Sequence, residues 1–117
     1  SKGVGGKFGT RNSPTVWNAA YYSVQFWDGR AASLEDQAKG PMINPVEMAN
    51  PSHDVLVERI RKVPAYVKMY EKAFGKKDAV NIDNTAKALA AYERTLITPN
   101  SPYDKYLKGA KKAMSPE

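Results

Sequence analysis

The sequence FWDGRAASLEDQAKGPMINPVEM, residues 26–48, contains the signals around which the rest of the chain can be interpreted. An aromatic pair and a DGR turn lead into a short helical segment, and a proline-flanked loop with a single carboxylate follows. Trp27, Gln37 and Glu47 stand ten residues apart, a spacing that neither a helix nor a strand repeats. Three separate elements must therefore bring these side chains together. An aromatic ring that can transfer electrons, a neutral amide and one carboxylate suit a reactive cofactor better than a packed core.

Helix signals extend outward from this stretch, and no segment alternates for long with the period of a strand. Proline or a polar cap begins the expected helices, and glycine or proline ends most of them. The expected helices cover residues 34–40, 53–63, 64–74, 84–97 and 102–108, and residues 15–22 are expected to form a short helix or a turn. We therefore predict an all-α fold with long ordered loops and no sheet.

The longest expected helix, residues 84–97, should be capped by Asp83 or Asn84. It contains four alanines in the run AKALAA, and small side chains allow another helix or a flat cofactor to approach closely. In the helix before it, Tyr66 and Met69 belong to an apolar stripe that should face inward.

The formal net charge is +6, and basic chains favour nucleic acid or acidic proteins as partners. The lysines are interleaved with acids along the chain, which is typical of a solvated surface. We therefore expect no nucleic acid partner. A basic helical binding module stays an alternative, which binding that weakens steeply with salt would favour. No apolar run approaches the roughly 18 residues that a membrane helix needs, so no membrane span is expected.

Two further features of the composition restrict the possible sites. The chain contains no cysteine, which excludes disulfides, thiolate metal sites and haem attachment through C-x-x-C-H within these residues. Residues 1–10, SKGVGGKFGT, contain four glycines and no periodicity, which predicts a mobile loop. The glycines beside Lys7 lack the spacing of a phosphate-binding loop, and no strand precedes them.

Six motifs in the same order give the chain a resemblance to the bacterial di-haem cytochrome c peroxidases. They are RNSPTVWNAA (11–20), FWDGRAASLEDQAKGP (26–41), NPVEM (44–48), PAY with AFG (64–66 and 73–75), AKALAAYERTL (86–96) and SPYDKYLKG (101–109). The resemblance runs over nearly the whole chain. It implies a cytochrome c-like helical fold. Residues 1–117 would form one domain, and this domain would correspond to the latter part of the N-terminal, peroxidatic domain of the family.

The resemblance also implies an activity and a location. Members of this family are periplasmic and contain two c-type cytochrome domains, each with a covalently held haem. One haem reduces hydrogen peroxide to water, and the other receives electrons from a small cytochrome c or a cupredoxin. The complete protein is expected to be a homodimer, with calcium at the interface between its domains.

Four residues take functional roles from the resemblance. Trp27 would lie between the two haems on the electron path. Glu47 would move a proton from the near to the far oxygen of peroxide, and Gln37 would orient peroxide by hydrogen bonding. Asn12 would ligate calcium together with residues of the second domain. A structural alternative stays open for two of them. Trp27 would then be a buried packing residue, and Glu47 would be a loop carboxylate that caps a backbone amide.

The chain departs from the family in two places. C-x-x-C-H is absent, so we expect the chain alone to hold no haem and to be inactive. Many members have a distal histidine in a glycine-rich loop near the position of Val4, where it blocks the iron until the second haem is reduced. The absence of this histidine here implies an iron site that is open without prior reduction of the second haem. His53 is the only histidine, and we expect it to be exposed and not to ligate haem.

A related alternative is the maturation-type di-haem enzyme, which oxidises a protein substrate through its haems. The resemblance implies that the axial ligand in the second domain would distinguish such an enzyme from a peroxidase.

Overall fold

The structure is a computed structural model that describes residues 2–115. Within these residues the chain folds into five α-helices joined by loops. The helices are α1 (Leu34–Ile43), α2 (His53–Arg61), α3 (Pro64–Phe74), α4 (Ile82–Glu93) and α5 (Pro102–Leu107). Within the described residues no strand forms, and the β pairings are two isolated bridges. The predicted all-α class is confirmed. Ser1 and residues 116–117, which the predicted domain 1–117 includes, lie outside the described residues.

Four helices begin where the sequence predicts them: α1 at Leu34, α2 at His53, α3 at Pro64 and α5 at Pro102. The Ser52 hydroxyl caps the first turn of α2. α3 begins at Pro64 and ends before Gly75, which adopts the left-handed conformation with φ of 66°. Ser101 and Asp104 form a capping box at the start of α5. Each of these signals acts within a few residues of the chain, which is why the sequence alone predicts them.

Residues 15–22, where the sequence predicts a short helix or a turn, contain one 3-10 turn, Ala19–Tyr21. Asn18 has a positive φ of 60°. Its side-chain amide exchanges two hydrogen bonds with Thr98, at 2.8 and 3.0 Å. The segment is therefore held to a distant part of the chain and does not coil into a helix.

Both ends of α4 differ from the prediction. The Asn81 side chain accepts a hydrogen bond from the Asn84 backbone N–H at 2.8 Å, so Asn81 is the cap and Asn84 lies buried inside the helix. The helix ends at Glu93 and not at residue 97. Beyond it, the Leu96 carbonyl accepts a hydrogen bond from the Asn18 N–H at 2.9 Å, which holds the chain in an extended path.

α1 extends past Pro41, although this proline predicts its end. Carbonyl groups in the last turn of a helix need partners from outside it. Here the Met48 N–H donates to the Pro41 carbonyl at 3.2 Å, and the Asn50 N–H donates to the Met42 carbonyl at 3.1 Å. Because the returning chain satisfies these groups, the helix continues to Ile43.

The core lies between α1 and α4. Leu34 on α1 packs with Ala90 on α4 and with Ala19, and Leu34 is 4% exposed. Ala86 and Ala90 are both fully buried. Two of the four alanines therefore do bring the helices close together, as the alanine-rich run predicts.

Two ion pairs show that α1 and α4 run antiparallel. Glu35, near the start of α1, accepts hydrogen bonds from Arg94, which follows α4, at 2.8 and 3.0 Å. Lys39, further along α1, pairs with Asp83 in the first turn of α4 at 2.8 Å. Hydrogen bonding by Arg94 is the main cause that holds the pKa of Glu35 below its ordinary value. Hydrogen bonding by Lys39 lowers the pKa of Asp83 in the same way.

The described part of the chain is open and elongated. Its radius of gyration is 18.5 Å, whereas a compact domain of this length has a radius of gyration of about 13 Å. Tyr66 and Met69, which the sequence predicts to face inward, are 52% and 64% exposed. The described residues include no helix that is both long and apolar enough to cross a membrane. Tyr66 and Met69 are therefore largely uncovered by the rest of the described chain, whereas Tyr70 and Phe74 of the same stripe are half-buried.

Candidate functional site

Trp27 lies at the tip of a loop that precedes α1. The loop is closed where Gln25 and Ala31 exchange backbone hydrogen bonds, at 2.8 and 3.4 Å. The Phe26 ring lies against Gly40 of α1, where an added Cβ atom would be 3.4 Å from the ring carbon Cζ. The absence of a side chain at Gly40 therefore leaves room for this ring and seats the loop on the helix. Trp27 itself is 68% exposed, so within the described part of the chain it is not buried by packing.

Asn12 and Trp27 are in direct contact. The Trp27 indole N–H donates to the Asn12 backbone carbonyl at 2.9 Å. Trp27 also lines an open cavity of about 480 Å³, which we call the aromatic cavity, together with Tyr21, Tyr22 and Phe26. Asn12 is exposed. It meets Trp27 through its backbone, and its side-chain amide is the group expected to ligate calcium.

Gln37 lies on α1, between the Trp27 loop and the turn that contains Glu47. Its backbone N–H donates to the Ser33 carbonyl at 3.0 Å, in the first turn of the helix. Gln37 is half-buried. Within the described part of the chain no hydrogen bond holds its side-chain amide, so the amide is available to a small polar ligand.

Glu47 lies in a tight turn, residues 44–49, which we call the Glu47 turn. The Glu47 and Ala49 N–H groups both donate to the Asn44 carbonyl at 3.0 Å. Glu47 is half-buried, and among the residues that the structure describes its carboxylate has no hydrogen-bond or ion-pair partner. It therefore does not cap a backbone amide there. A carboxylate whose backbone is held and whose oxygens are unused can take up and release a proton.

Asn50 anchors the Glu47 turn, and sequence analysis did not identify it. Its side-chain N–H donates to the Met42 carbonyl at 2.8 Å, and its side-chain oxygen accepts from the Arg59 guanidinium at 2.6 Å. Asn50 is buried. The turn is thereby tied to α1 and α2 at once. An asparagine before a proline is typical of an exposed turn, so no local signal distinguishes this buried one.

His53 holds the start of α2 to α1. Its Nε2 lies 2.9 Å from the Lys39 carbonyl oxygen. Because a carbonyl oxygen only accepts, Nε2 carries the hydrogen. His53 is half-buried, so the expectation that it is exposed is wrong. The position of His53 in the first turn of α2 did not predict this contact, since Lys39 lies on another helix.

Residues 2–8, which we call the glycine loop, lie against the Glu47 turn. An isolated antiparallel bridge closes the loop, and the Gly3 N–H donates to the Lys7 carbonyl at 2.8 Å. The Val4 N–H donates to the Glu47 carbonyl at 2.8 Å. The backbone of the glycine loop is therefore hydrogen-bonded to the Glu47 turn.

The segments that contain the predicted residues contact or adjoin one another. Their side chains, however, do not all line one cavity. α1 contains Gln37, supports the Trp27 loop at Gly40 and is followed directly by the Glu47 turn. Gln37 and Glu47 do not line the aromatic cavity, nor a second open cavity of about 580 Å³ beside α5. Trp27 and Asn12 thus form one group, and Glu47 with its anchors forms another.

The described residues do not fit a site that attaches haem or encloses a metal ion. They include no cysteine, and His53 uses its Nε2 on a backbone carbonyl. In the part of the chain that the structure describes, no three His, Cys, Asp or Glu side chains are grouped to hold a metal. The Asn12 amide supplies one oxygen, whereas calcium takes about six to eight.

Comparison with known proteins gives consistent matches. A sequence model of the family described as di-haem cytochrome c peroxidase matches residues 1–112. The chain is 50% identical over 115 residues to the cytochrome c551 peroxidase of Pseudomonas aeruginosa, covering 97% of the chain and 33% of that protein. It is 44% identical over 119 residues to the cytochrome c peroxidase Ccp of Escherichia coli, covering 98% and 24% respectively.

The similarity extends to a second group of proteins. The chain is 39% identical over 104 residues to the methylamine utilization protein MauG of Methylorubrum extorquens, covering 89% of the chain and 29% of that protein. The solved structure of a MauG-like protein associated with microbial copper homeostasis matches the fold with a TM-score of 0.81 at 25% identity. That match covers 94% of this chain and 33% of the solved one.

The chain spans about a quarter to a third of the length of these curated relatives. The family match covers nearly all of the chain, and the helical fold agrees with that of the solved structure. Both findings confirm the resemblance that the six sequence motifs indicate. The chain belongs to the di-haem cytochrome c peroxidase family.

Proposed function

We propose that this chain is the latter part of the peroxidatic domain of a periplasmic di-haem enzyme. The complete enzyme reduces hydrogen peroxide to water with electrons from a small cytochrome c or a cupredoxin. The observation that supports this most strongly is the environment of Glu47. Its backbone is hydrogen-bonded to Asn44 and Val4, and its carboxylate has no partner among the described residues. Similarity to two proteins named as cytochrome c peroxidases supports the choice of substrate.

In this proposal Glu47 and Gln37 act on peroxide itself. Glu47 takes the proton from one peroxide oxygen and delivers it to the other, so that water leaves as the O–O bond breaks. Gln37 orients peroxide by hydrogen bonding and adds no charge. The reduction of one peroxide to two water molecules requires two electrons, which the small redox donor would supply through the c-type haems of the complete protein, and two protons, which solvent would supply.

Trp27 and Asn12 act at the boundary with a second domain in this proposal. Trp27 is exposed beside the aromatic cavity, which suits an aromatic side chain that passes electrons between domains. Asn12 would supply one ligand to calcium, and the remaining ligands would come from the second domain. The Trp27 indole is hydrogen-bonded to the Asn12 backbone, so an ion there would fix the position of the indole. We expect the complete protein to be a homodimer.

The maturation-type di-haem enzyme is a second candidate function. Its support is the 39% identity to a protein named MauG and the fold match to a MauG-like protein. Both functions would use the same carboxylate to cleave the O–O bond. They differ in the electron source, which is a small redox protein in one case and a protein substrate in the other.

The test uses the full-length, haem-loaded protein with hydrogen peroxide and a reduced small cytochrome c. We expect two one-electron donors to be oxidised for each peroxide consumed, measured by donor absorbance and peroxide assay. Peroxide consumption with slow donor oxidation and fast oxidation of a protein substrate would support the maturation-type enzyme. An absence of peroxide consumption would contradict both functions.

A further inference from the structure

The glycine loop and the Glu47 turn meet backbone to backbone. The Val4 N–H donates to the Glu47 carbonyl at 2.8 Å. A Cβ atom added at Gly3 would overlap the Val46 carbonyl oxygen and would lie 2.7 Å from the Glu47 carbonyl oxygen. Both of these are backbone atoms, which cannot rotate away as the end of a long side chain can. A side chain at position 3 must therefore push the loop off the turn or move the turn itself.

The need for glycine at this position comes from the close approach and not from the backbone conformation. Gly3 has φ of −99° and ψ of −165°, an extended conformation that any residue can adopt. Gly5 and Gly6 differ, because their φ values of 67° and 75° favour glycine in the tight part of the loop. Gly3 is thus the position at which contact with Glu47 depends on the absence of a side chain.

We propose that Gly3 is a positioning residue for Glu47 and that the glycine loop sets the direction in which the Glu47 carboxylate points. This inference rests on the proposed role of Glu47 in peroxide cleavage. The Glu47 N–H donates to the Asn44 carbonyl at 3.0 Å, and Val4 supplies the hydrogen bond to the Glu47 carbonyl. Asn50 anchors the other end of the turn. The loop therefore holds the backbone of Glu47, from whose Cα atom the carboxylate side chain projects.

Such positioning affects the rate more than it affects the fold. A displacement of about 1 Å at a reacting group can reduce a rate by about 10²-fold. The loop contributes no residue to the core between α1 and α4, so its displacement leaves that packing intact. A change at Gly3 should consequently lower turnover without unfolding the protein.

The test compares Gly3→Ala with Gly9→Ala in the full-length, haem-loaded protein. Both substitutions add one methyl group to a glycine of the same segment that lacks a positive φ. At Gly9 the added Cβ would lie 3.7 Å from the Arg11 carbonyl oxygen, which is an ordinary contact. We expect kcat for peroxide to fall about 10- to 100-fold in Gly3→Ala and to stay within about twofold in Gly9→Ala.

Two further measurements distinguish positioning from general damage. In a Glu47→Gln background Gly3→Ala should cause no additional loss, because the group that it positions has been removed. Amide hydrogen exchange in residues 2–8 and 44–50 should accelerate in Gly3→Ala, while the haem absorption spectrum and Tm stay as in the parent. Additive losses in the double variant would contradict the inference, since the loop would then act on another part of the site.

Val4→Pro tests the same contact without a side chain at position 3. Proline removes the N–H that the Glu47 carbonyl accepts, and we expect the loss of turnover seen in Gly3→Ala. If Gly3→Ala and Val4→Pro keep the parental kcat while Glu47→Gln loses it, this inference fails and the proposed role of Glu47 stands. If Glu47→Gln keeps the parental kcat, the proposed role fails and the inference fails with it.

Discussion

Gln37 and Glu47 can do different things for peroxide. A carboxylate takes up and releases a proton, whereas an amide only forms hydrogen bonds. We predict that Gln37→Ala lowers kcat/KM for peroxide by about fivefold at most, since a neutral hydrogen bond contributes roughly 1 kcal/mol and water can replace the amide. Steady-state kinetics of the full-length protein measure this. A loss larger than that caused by Glu47→Gln would reverse the assignment of the two roles.

From the resemblance we expect Val4 to stand near the position where many family members have a distal histidine. A valine side chain has no atom that can ligate iron, and Val4 is 58% exposed with its backbone hydrogen-bonded to Glu47. We predict that the peroxidatic iron of the fully oxidised protein is open, so that peroxide reacts without prior reduction of the other haem. Electron paramagnetic resonance should show a high-spin ferric signal. A purely low-spin spectrum would mean that another residue closes the site.

The cross-helix ion pairs belong to the scale of elements. Arg94 lowers the pKa of Glu35, so the ionised carboxylate stabilises the pairing of α1 and α4. This contribution is present above the ordinary pKa of 4.5 and is lost as pH falls through the lower value in the folded protein. We predict that Glu35→Gln lowers the urea midpoint near neutral pH and that the difference from the parent closes in acid.

A matched control for this prediction is Glu58→Gln. Glu58 pairs with Arg61 within α2, and its side chain is 60% exposed, so its removal should change the urea midpoint little. If the difference between Glu35→Gln and the parent persisted unchanged far below pH 4.5, the ion pair with Arg94 would not be its cause.

Some elements could be predicted from the sequence because their signals are local. Proline at the start of α3 and the capping box of α5 act over a few residues. The continuation of α1 past Pro41 could not be predicted, since it depends on the chain returning at Met48. The left-handed conformation of Asn18 likewise accompanies a contact with Thr98, which is 80 residues away along the chain.

The residues of the candidate site also divide into those that the sequence could identify and those that it could not. Trp27, Gln37, Glu47 and Asn12 were identified because they lie in motifs of the family, and their roles stay predictions. Their anchors were not identified, because the contacts of Asn50 and the glycine loop form only when α1, α2 and the Glu47 turn are assembled.

At the scale of the whole molecule, the open shape agrees with a chain that spans about a quarter to a third of its relatives. Tyr21, Tyr22 and Trp27 are each more than half exposed around the aromatic cavity. In the proposed function a second cytochrome domain covers this surface. That residues 1–117 form a single domain, inactive alone, stays a prediction.

The central claim is that Glu47 transfers the proton when the O–O bond of peroxide breaks. Glu47→Gln in the full-length, haem-loaded protein keeps the size of the side chain and removes its ability to ionise. Asp36→Asn is the control, because it neutralises an exposed carboxylate on α1. Stopped-flow measurement of the reaction with peroxide should show a loss of about 10²–10⁴-fold in Glu47→Gln and no comparable loss in Asp36→Asn. A Glu47→Gln rate within about threefold of the parent, with the haem spectrum unchanged, would contradict the claim.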